Sequence, residues 1–394
     1  MAGCQRLLAC CEPRSPPLRH AGSAVRGSGP LGSRWRRRAG WRRVAGAALA
    51  SRGSADVPRG RYAPSPTGWQ HLGNARTALL AWLRARSDGG SFVVRVEDLD
   101  GPRTVAAAVE GNLEELRWLG LTWDEGPDVG GPFAPYRQSE RSERYEAGLQ
   151  KLREDGGIYA CYLSRKDLRD LASAPHGAVT PYGLAERRRN EHIAPERAAA
   201  GRVPALRFAL PETISTWEEV LAGPQSYAVP GDVGDPVVRR ADGTWSYQFA
   251  VSVDDAEMKI EEVVRGDDLT ASTAAQRMLL AALGAPPPAY LHVPLLLDVD
   301  GVRLAKRDGS QTIRALRAAG VRAERIVGLL AWTLGQLDTA EPCTPHDLLA
   351  GFDLRAVPRG PVQLWSSDLA WLEGDGALTD APRIALVDSA EADR

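Results

Sequence analysis

Arg61-Tyr62-Ala63-Pro64-Ser65-Pro66-Thr67-Gly68-Trp69-Gln70-His71-Leu72-Gly73-Asn74 runs from a short strand through a Pro- and Gly-rich loop straight into a helix. Tyr62-Ala63 reads as the buried strand. From Leu72 to Arg86 the apolar residues Leu72, Ala75, Leu79, Trp82 and Leu83 recur at helical spacing. A His, a small residue and an amide side chain gather where that helix begins. A helix start offers unpaired N–H groups and a partial positive charge to an anion, so the stretch reads as a nucleotide phosphate site. Gly89-Gly90 stops the helix, and Phe92-Val93-Val94-Arg95-Val96 reads as the next buried strand. Strand, helix and strand within about 40 residues make a βαβ unit, which implies a parallel sheet with a right-handed crossover.

Working outward, a further amphipathic helix is expected over 104–119, ending at Gly120. The pattern then loosens between 126 and 244, with turns at Gly126-Pro127 and Gly130-Gly131-Pro132, a helix near 139–155 and a weakly patterned Ala/Arg stretch at 173–203. A sheet-like signature returns at Tyr247-Gln248-Phe249-Ala250-Val251-Ser252-Val253 and at Glu262-Val263-Val264. A helix over 270–283 follows, stopped by Gly284 and Pro286-Pro287-Pro288; an apolar strand then runs from Leu291 to Leu297 and closes at Asp300-Gly301. From Thr312 the chain reads as helical, over Ile313 to Ala319 and Arg322 to Leu334. These signals predict an α/β fold, a Rossmann-like parallel sheet split by an inserted α+β region. Its halves fall at 56–129 and 245–311, around an inserted connective region at 130–244. A helical region at 312–372 follows, and 373–394 reads as a flexible tail.

The 394 residues suffice for about two domains with a real core. Residues 1–55 hold eleven arginines and one acidic residue, Glu12, while the whole chain carries a formal charge of −1. The remainder is therefore acidic, and any nucleic-acid contact must come from a local patch. That Arg-rich extension reads as a transit peptide, as a disordered tail or upstream translation artefact, or as a basic arm that holds RNA; all three leave it outside the fold. Cytoplasmic location is expected, or an organelle if the extension is a transit peptide. Only four lysines occur, Lys151, Lys166, Lys259 and Lys306, which singles out Lys306. Three of the five cysteines, Cys4, Cys10 and Cys11, lie in the extension, and Cys161 and Cys343 are isolated, so no disulfide framework is expected. No apolar run approaches 18 residues, so no membrane span is expected.

Six ordered blocks now carry a specific resemblance. They are Arg61–Gly68, His71–Asn74, Arg95-Val96-Glu97-Asp98-Leu99-Asp100, Tyr247–Asp255, Val264-Arg265-Gly266-Asp267-Asp268 and Arg303-Leu304-Ala305-Lys306-Arg307. Over about 58–337 the chain resembles the class I glutamyl-tRNA synthetase family, and within it the short branch that glutamylates queuosine in tRNA(Asp). The resemblance implies ATP binding by His71, Gly73, Asn74, Lys306 and Arg307, with His71, Asn74 and Lys306 as the catalytic set. Asn74 stands where many class I enzymes carry a second His, and Ala305 replaces a more usual Ser. Glutamate would be bound by Arg61, Tyr62, Ala63, Pro64, Ser65, Glu97, Tyr247 and Arg265. Arginine suits this task because its planar fork pairs a carboxylate bidentately. Read without the resemblance, His71 is equally an ordinary helix-start residue, and Glu97 and Arg265 a strand-end cap and a salt bridge.

The implied reaction is attack of glutamate on ATP, held with Mg²⁺, to give glutamyl-adenylate, and passage of the glutamyl group to RNA. A zinc site is not expected, because only Cys161 of the family's cysteine cluster is kept; Tyr182-Gly183-Leu184-Ala185 offers no thiol, and His176 and His192 do not complete a recognisable set. Fewer than 60 residues follow Leu337, too few for the family's anticodon-reading helical region, so 312–372 is expected to contact the stem. The expected partners are L-glutamate, ATP and the tRNA(Asp) anticodon stem-loop, with a monomeric enzyme and no membrane. Two alternatives stand: a truncated synthetase charging tRNA(Glu), and a catalytically silent RNA-binding paralogue.

Overall fold

The computed structural model describes residues 58–164, 167, 182–304, 311–374, 378, 382 and 384. The expected βαβ unit is present as β1 (Arg59–Tyr62), α1 (Leu72–Ser87) and β2 (Ser91–Val94), followed by α2 (Ala106–Trp118). The strand thus lies earlier than Tyr62-Ala63, and Pro64, which has no N–H to donate, stands just beyond it. The region expected as an insertion, 130–244, holds α3 (Ser142–Glu154) as its first α-helix. It contains β3 (Ile158–Cys161), α4 (Leu184–Ala199), β4 (Ala205–Phe208), the hairpin β5 (Thr213–Glu219) and β6 (Gly223–Val229), and β7 (Val237–Arg239). Strands β3, β4 and β7 form an antiparallel sheet. The weakly patterned Ala/Arg stretch is therefore helical over α4.

Residues Tyr247–Glu257 form helix α5. This corrects the expectation of sheet at Tyr247–Val253. Five consecutive residues, Phe249 to Val253, are buried, and a helix covered on nearly every side loses the polar stripe that would betray its period. The Ser246 side chain caps it by accepting from the Phe249 N–H. The chain then returns through β8 (Glu262–Gly266), α6 (Thr270–Ala282) and β9 (Ala289–Val293). The strand expected at Leu291–Leu297 is broken at Pro294 into β9 and a short β10 (Leu296–Leu297). Helices α7 (Ile313–Ala318) and α8 (Ala323–Thr333), strand β11 (Val362–Gln363) and helix α9 (Ser366–Glu373) complete the described elements, β11 pairing with β10.

The central sheet is wholly parallel, in the order β2-β1-β8-β9. Its strand order reverses between β1 and β8, and the carboxyl ends of two such strands diverge to leave a crevice. One face is covered by α1, itself buried against α8 through Leu72, Leu79, Leu83, Ile326 and Leu330. The other face meets Tyr136, Met258 and Ile260 through Val93 and Val263. Burial on both faces is why Phe92 to Val94 of β2 read as an unbroken apolar run. Arg84 ties the end of α1 to β8 with two 2.9 Å bonds to the Glu262 carboxylate. Among the described residues no helix is long and apolar enough to cross a membrane.

The joint between α1 and β2 is tight. A Cβ on Gly90 would lie 2.1 Å from the Pro58 carbonyl oxygen and 2.6 Å from that of Ala85. Both neighbours are backbone. Gly90→Ala is expected to cost about 1–3 kcal/mol of stability, read as a lower urea midpoint.

Candidate active site

A cavity of about 390 Å³ opens in the crevice between β1 and β8. Arg61, Tyr62, Ala63, Pro64, Ser65, His71, Gly73, Asn74, Glu97, Tyr247 and Arg265 all line it, so every candidate residue within the described part of the chain meets at one place. Lys306 and Arg307 lie outside the described residues.

One wall is the start of α1. His71 is its N-cap: its Nδ1 accepts from the Asn74 N–H at 3.3 Å, while Asn74 Oδ1 accepts from the His71 N–H at 3.4 Å. This reciprocal capping box gives Asn74 a structural reason to be an amide, which can close the box with its oxygen and still carry a donor. With Nδ1 accepting, the neutral His71 ring carries its proton on Nε2. At Gly73 a Cβ would press against the His71 ring at 3.1 Å, so the glycine makes room for that ring. The loop before the helix is held by Tyr62 Oη donating to Gln70 Oε1, Gln70 Nε2 to the Asn112 carbonyl and Asn112 Nδ2 to the Gly68 carbonyl. Trp69 is stacked under the Arg314 guanidinium, 4.2 Å from its ring centroid, with Gly111 on its path.

The opposite wall is charged. Arg61 and Arg265 are nearly fully buried, 3% and 5% exposed, and Glu97 stands at 8%. Arg61 is held lightly, by one Nη1 bond to the Val264 carbonyl at 3.1 Å and by Asp255 Oδ1 3.5 Å from its Nε. Arg265 is held tightly: its Nε donates to His292, Nη1 to Gln276 Oε1, and Nη2 to Thr273 Oγ1 and the Leu269 carbonyl. Arg61 therefore keeps most of its fork for a bound anion.

Beside Glu97 sits Arg95, which is wholly buried. Its Nη2 donates to Glu97 Oε1 at 3.0 Å and its Nη1 to Asp255 Oδ1 at 2.8 Å, while Asp254 lies 3.5 Å from Nε. Burial alone would lower the Arg95 pKa, but Asp255, Asp254 and Glu97 push it well above its ordinary value. The carboxyls divide. Burial raises Glu97 above the usual carboxylate range despite Arg95 and Arg61. Asp255 is buried too, yet Arg95 and Arg61 outweigh that and hold it below. Burial and the nearby Glu97 push the half-buried Tyr247 phenol up, so it stays a hydroxyl.

Arg95, Asp254, Asp255 and Asp268 lie within the six sequence blocks, but the resemblance gives them no task. The signal was present, since buried charges need partners and two adjacent acids follow an apolar run. Arg303, which lines the cavity, pairs with Asp268 at 2.8 Å and so joins the chain after β10 to the start of α6. Far from the cavity, Cys161 packs beside Leu163, Tyr159 and Ile193, with its Sγ 3.4 Å from Tyr182 Oη. His192 is exposed on α4, and His176 lies outside the described residues.

A parallel sheet with a crevice at its strand reversal, a His-capped helix start and paired buried arginines is what a class I synthetase needs. Residues 58–362 match the family described as tRNA synthetases class I (E and Q), catalytic domain, and the chain belongs to it. More particularly, it is 50% identical over 322 residues to the Glutamyl-Q tRNA(Asp) synthetase of Symbiobacterium thermophilum, covering 81% of this chain and 99% of that one. The protein of the same name from Nitratidesulfovibrio vulgaris is 47% identical over 306 residues, covering 77% of this chain and 94% of that one. Among solved structures, a glutamate tRNA ligase from Elizabethkingia meningosepticum in complex with its amino acid superposes with a TM-score of 0.71 at 29% identity, over 80% of this chain and 69% of that one.

The divided carboxyls make opposite predictions. With its folded pKa raised, Glu97 costs stability when charged, and that cost fades as pH falls through the raised value. Glu97→Gln is expected to gain about 0.5–2 kcal/mol at pH 7, a gain that shrinks on acidification as the parent carboxyl protonates. Asp255→Asn is expected to lose about 3–5 kcal/mol by leaving Arg95 and Arg61 short of a counter-charge. Thermal melts of both variants between pH 7 and pH 5 check the two signs.

Proposed function

We propose that the chain activates L-glutamate with ATP as glutamyl-adenylate and transfers the glutamyl group to the queuosine base at the wobble position of tRNA(Asp). The observation that carries this reading is the meeting of Arg61, Glu97, Tyr247 and Arg265 in one cavity whose other wall is the His71-capped start of α1. The names of the relatives supply the nucleoside and the RNA.

Arg61 and Arg265 supply the cations for the glutamate carboxylates, and Glu97 accepts from the α-ammonium. Tyr247, kept as a hydroxyl, adds a hydrogen bond between them. The α-carboxylate is already ionised at pH 7, so no general base is needed. Its oxygen forms a bond to the α-phosphorus of ATP, which enters as its magnesium complex, and the bond to pyrophosphate breaks. Catalysis is then alignment of two anions and stabilisation of added negative charge. The Nε2–H of His71, the amide of Asn74 and the first N–H groups of α1 face that charge. Lys306 and Arg307 are assigned to the same phosphates by their motif. A hydroxyl oxygen of the modified base next bonds to the acyl carbon, the bond to AMP breaks, and the hydroxyl proton passes to the departing phosphate or to water. The anticodon stem-loop is the part of the RNA that must be held.

The test uses labelled glutamate and ATP with three RNAs: queuosine-containing tRNA(Asp), the same tRNA lacking queuosine, and tRNA(Glu). Label on the first alone is the expected result. Label on tRNA(Glu) would make the chain an aminoacylating synthetase, and label on none would overturn the catalytic reading. Lys306→Ala is expected to slow glutamate-dependent ATP–pyrophosphate exchange about 10²–10³-fold without moving the melting temperature.

A further inference from the structure

The grip on Arg265 reaches much further than the cavity. Arg265 on β8 and His292 on β9 are direct partners in the parallel register, so their side chains emerge side by side on one face. Arg265 Nε donates to His292 Nε2 at 3.2 Å. Thr273 Oγ1, which accepts from Arg265 Nη2 at 2.7 Å, also stands 3.2 Å from that same ring nitrogen. On the far side of the ring, Nδ1 is 3.4 Å from Glu219 Oε1.

Glu219 comes from the inserted region, at the end of β5. Its Oε1 accepts the backbone N–H of His292, and its Oε2 accepts the N–H groups of Leu221 and Ala222 in the hairpin turn. The Val220 N–H donates to the Tyr290 carbonyl, so the turn covers the outer edge of β9, which is the edge strand of the central sheet. Tyr290 lies parallel to the His292 ring, at an interplanar angle of 3°. Glu219 and His292 are 1% and 3% exposed. A buried carboxylate and a buried imidazole here touch neither the described cavity nor solvent, and stability alone would be served as well by apolar side chains.

The proton positions follow from chemistry. A guanidinium only donates, so His292 Nε2 must accept. The neutral ring then carries its proton on Nδ1, facing the Glu219 carboxylate. A charged ring would set N–H against N–H and add a third cation to Arg265 and Arg61. Burial, with those two arginines, holds the ring below the ordinary histidine range against the opposing pull of Glu219.

We propose that His292 is a positioning residue for Arg265: with its backbone N–H held by Glu219 and its Nδ1–H turned toward that carboxylate, it accepts the Arg265 Nε–H and so sets the plane of the guanidinium that faces the substrate. Four of the five Arg265 N–H groups are then directed at fixed acceptors, His292, Gln276, Thr273 and the Leu269 carbonyl. One Nη1 hydrogen is left for the cavity. Arg265 is thereby a single aimed donor, and Arg61 the open fork. Gln276 donates to Gln248 Oε1, and Gln248 in turn donates to Ser272 Oγ, so the plane is set from two sides. The consequence for catalysis rests on the reading of Arg265 as a glutamate ligand, whereas the tautomer does not.

Two measurements test this separately. In the parent protein labelled with ¹⁵N-histidine, the resonances lost in His292→Gln identify His292, and the Nδ1–H, Nε2-bare pattern is expected. An Nε2–H pattern overturns the proposal, even should the chain show no glutamate-dependent exchange at all. In ATP–pyrophosphate exchange, His292→Leu is expected to raise KM for glutamate about tenfold while leaving KM for ATP in place. His292→Gln, whose carbonyl oxygen reaches the position of Nε2, is expected to return KM for glutamate close to the parental value. Equal KM values for glutamate in the parent and a folded Leu variant, or equal losses in the Leu and Gln variants, overturn the positioning role. Absence of exchange in the parent overturns the proposed function instead, and the tautomer then decides this proposal alone. The tautomer decides it likewise if the Leu variant does not fold.

Discussion

The site depends on one buried guanidinium. Arg95, just beyond β2, reaches Glu97 on its own segment, Asp255 and Asp254 on α5, and through Asp255 it is coupled to Arg61 on β1. Elements separated by more than a hundred residues of chain are thus joined by charge inside an apolar core. Such a network is costly to desolvate and is weak evidence for stability. What it supplies is placement. Arg61 and Glu97 face the cavity with fixed separation because each touches the same hub, directly or through one carboxylate. Asp254 is in turn satisfied by Arg141, Gln138 and Tyr145, so the chain of partners ends in the fold and not in solvent.

Helix α1 plays the same part for the other wall. Its first turn is fixed by the His71–Asn74 box, and its body is buried almost all round between the sheet and α8. Arg76 crosses from it to the Pro294 carbonyl and to both oxygens of Thr333. Burial depresses the pKa of this arginine to about 10, which leaves it charged at neutral pH. A helix start used to hold phosphate must not fray or slide, and here its side chains bond to the loop before it, the strand beside it and the helix beneath it.

The inserted region contributes more than a spacer. Its antiparallel sheet holds together through Tyr159, Arg187 and Asp235, with Asp235 taking two guanidinium bonds and the Tyr159 hydroxyl. Its hairpin then covers the β9 edge of the central sheet. An uncovered edge strand offers unpaired backbone groups. The turn at Glu219 to Ala222 covers β9 and in doing so delivers a carboxylate to the back of the site.

The sequence by itself determined the βαβ unit and the helix start at His71, and through the family motifs it named part of the cavity lining. All of these are local: a period, a turn chemistry, or a motif within a few residues. Tertiary structure decided the rest. Tyr247 to Val253 looked like strand because nothing in an apolar run says whether its neighbours cover one face or all of them. Asp255 and Arg95 lie in two of the family motifs, but their pairing is a distance between segments that no spacing encodes. Glu219 and His292 carried no signal at all, since a glutamate in a hairpin and a histidine in a strand are ordinary until folding removes the water between them. Local order is written in neighbouring residues, whereas the charge state and aim of a buried group depend on what the fold brings against it.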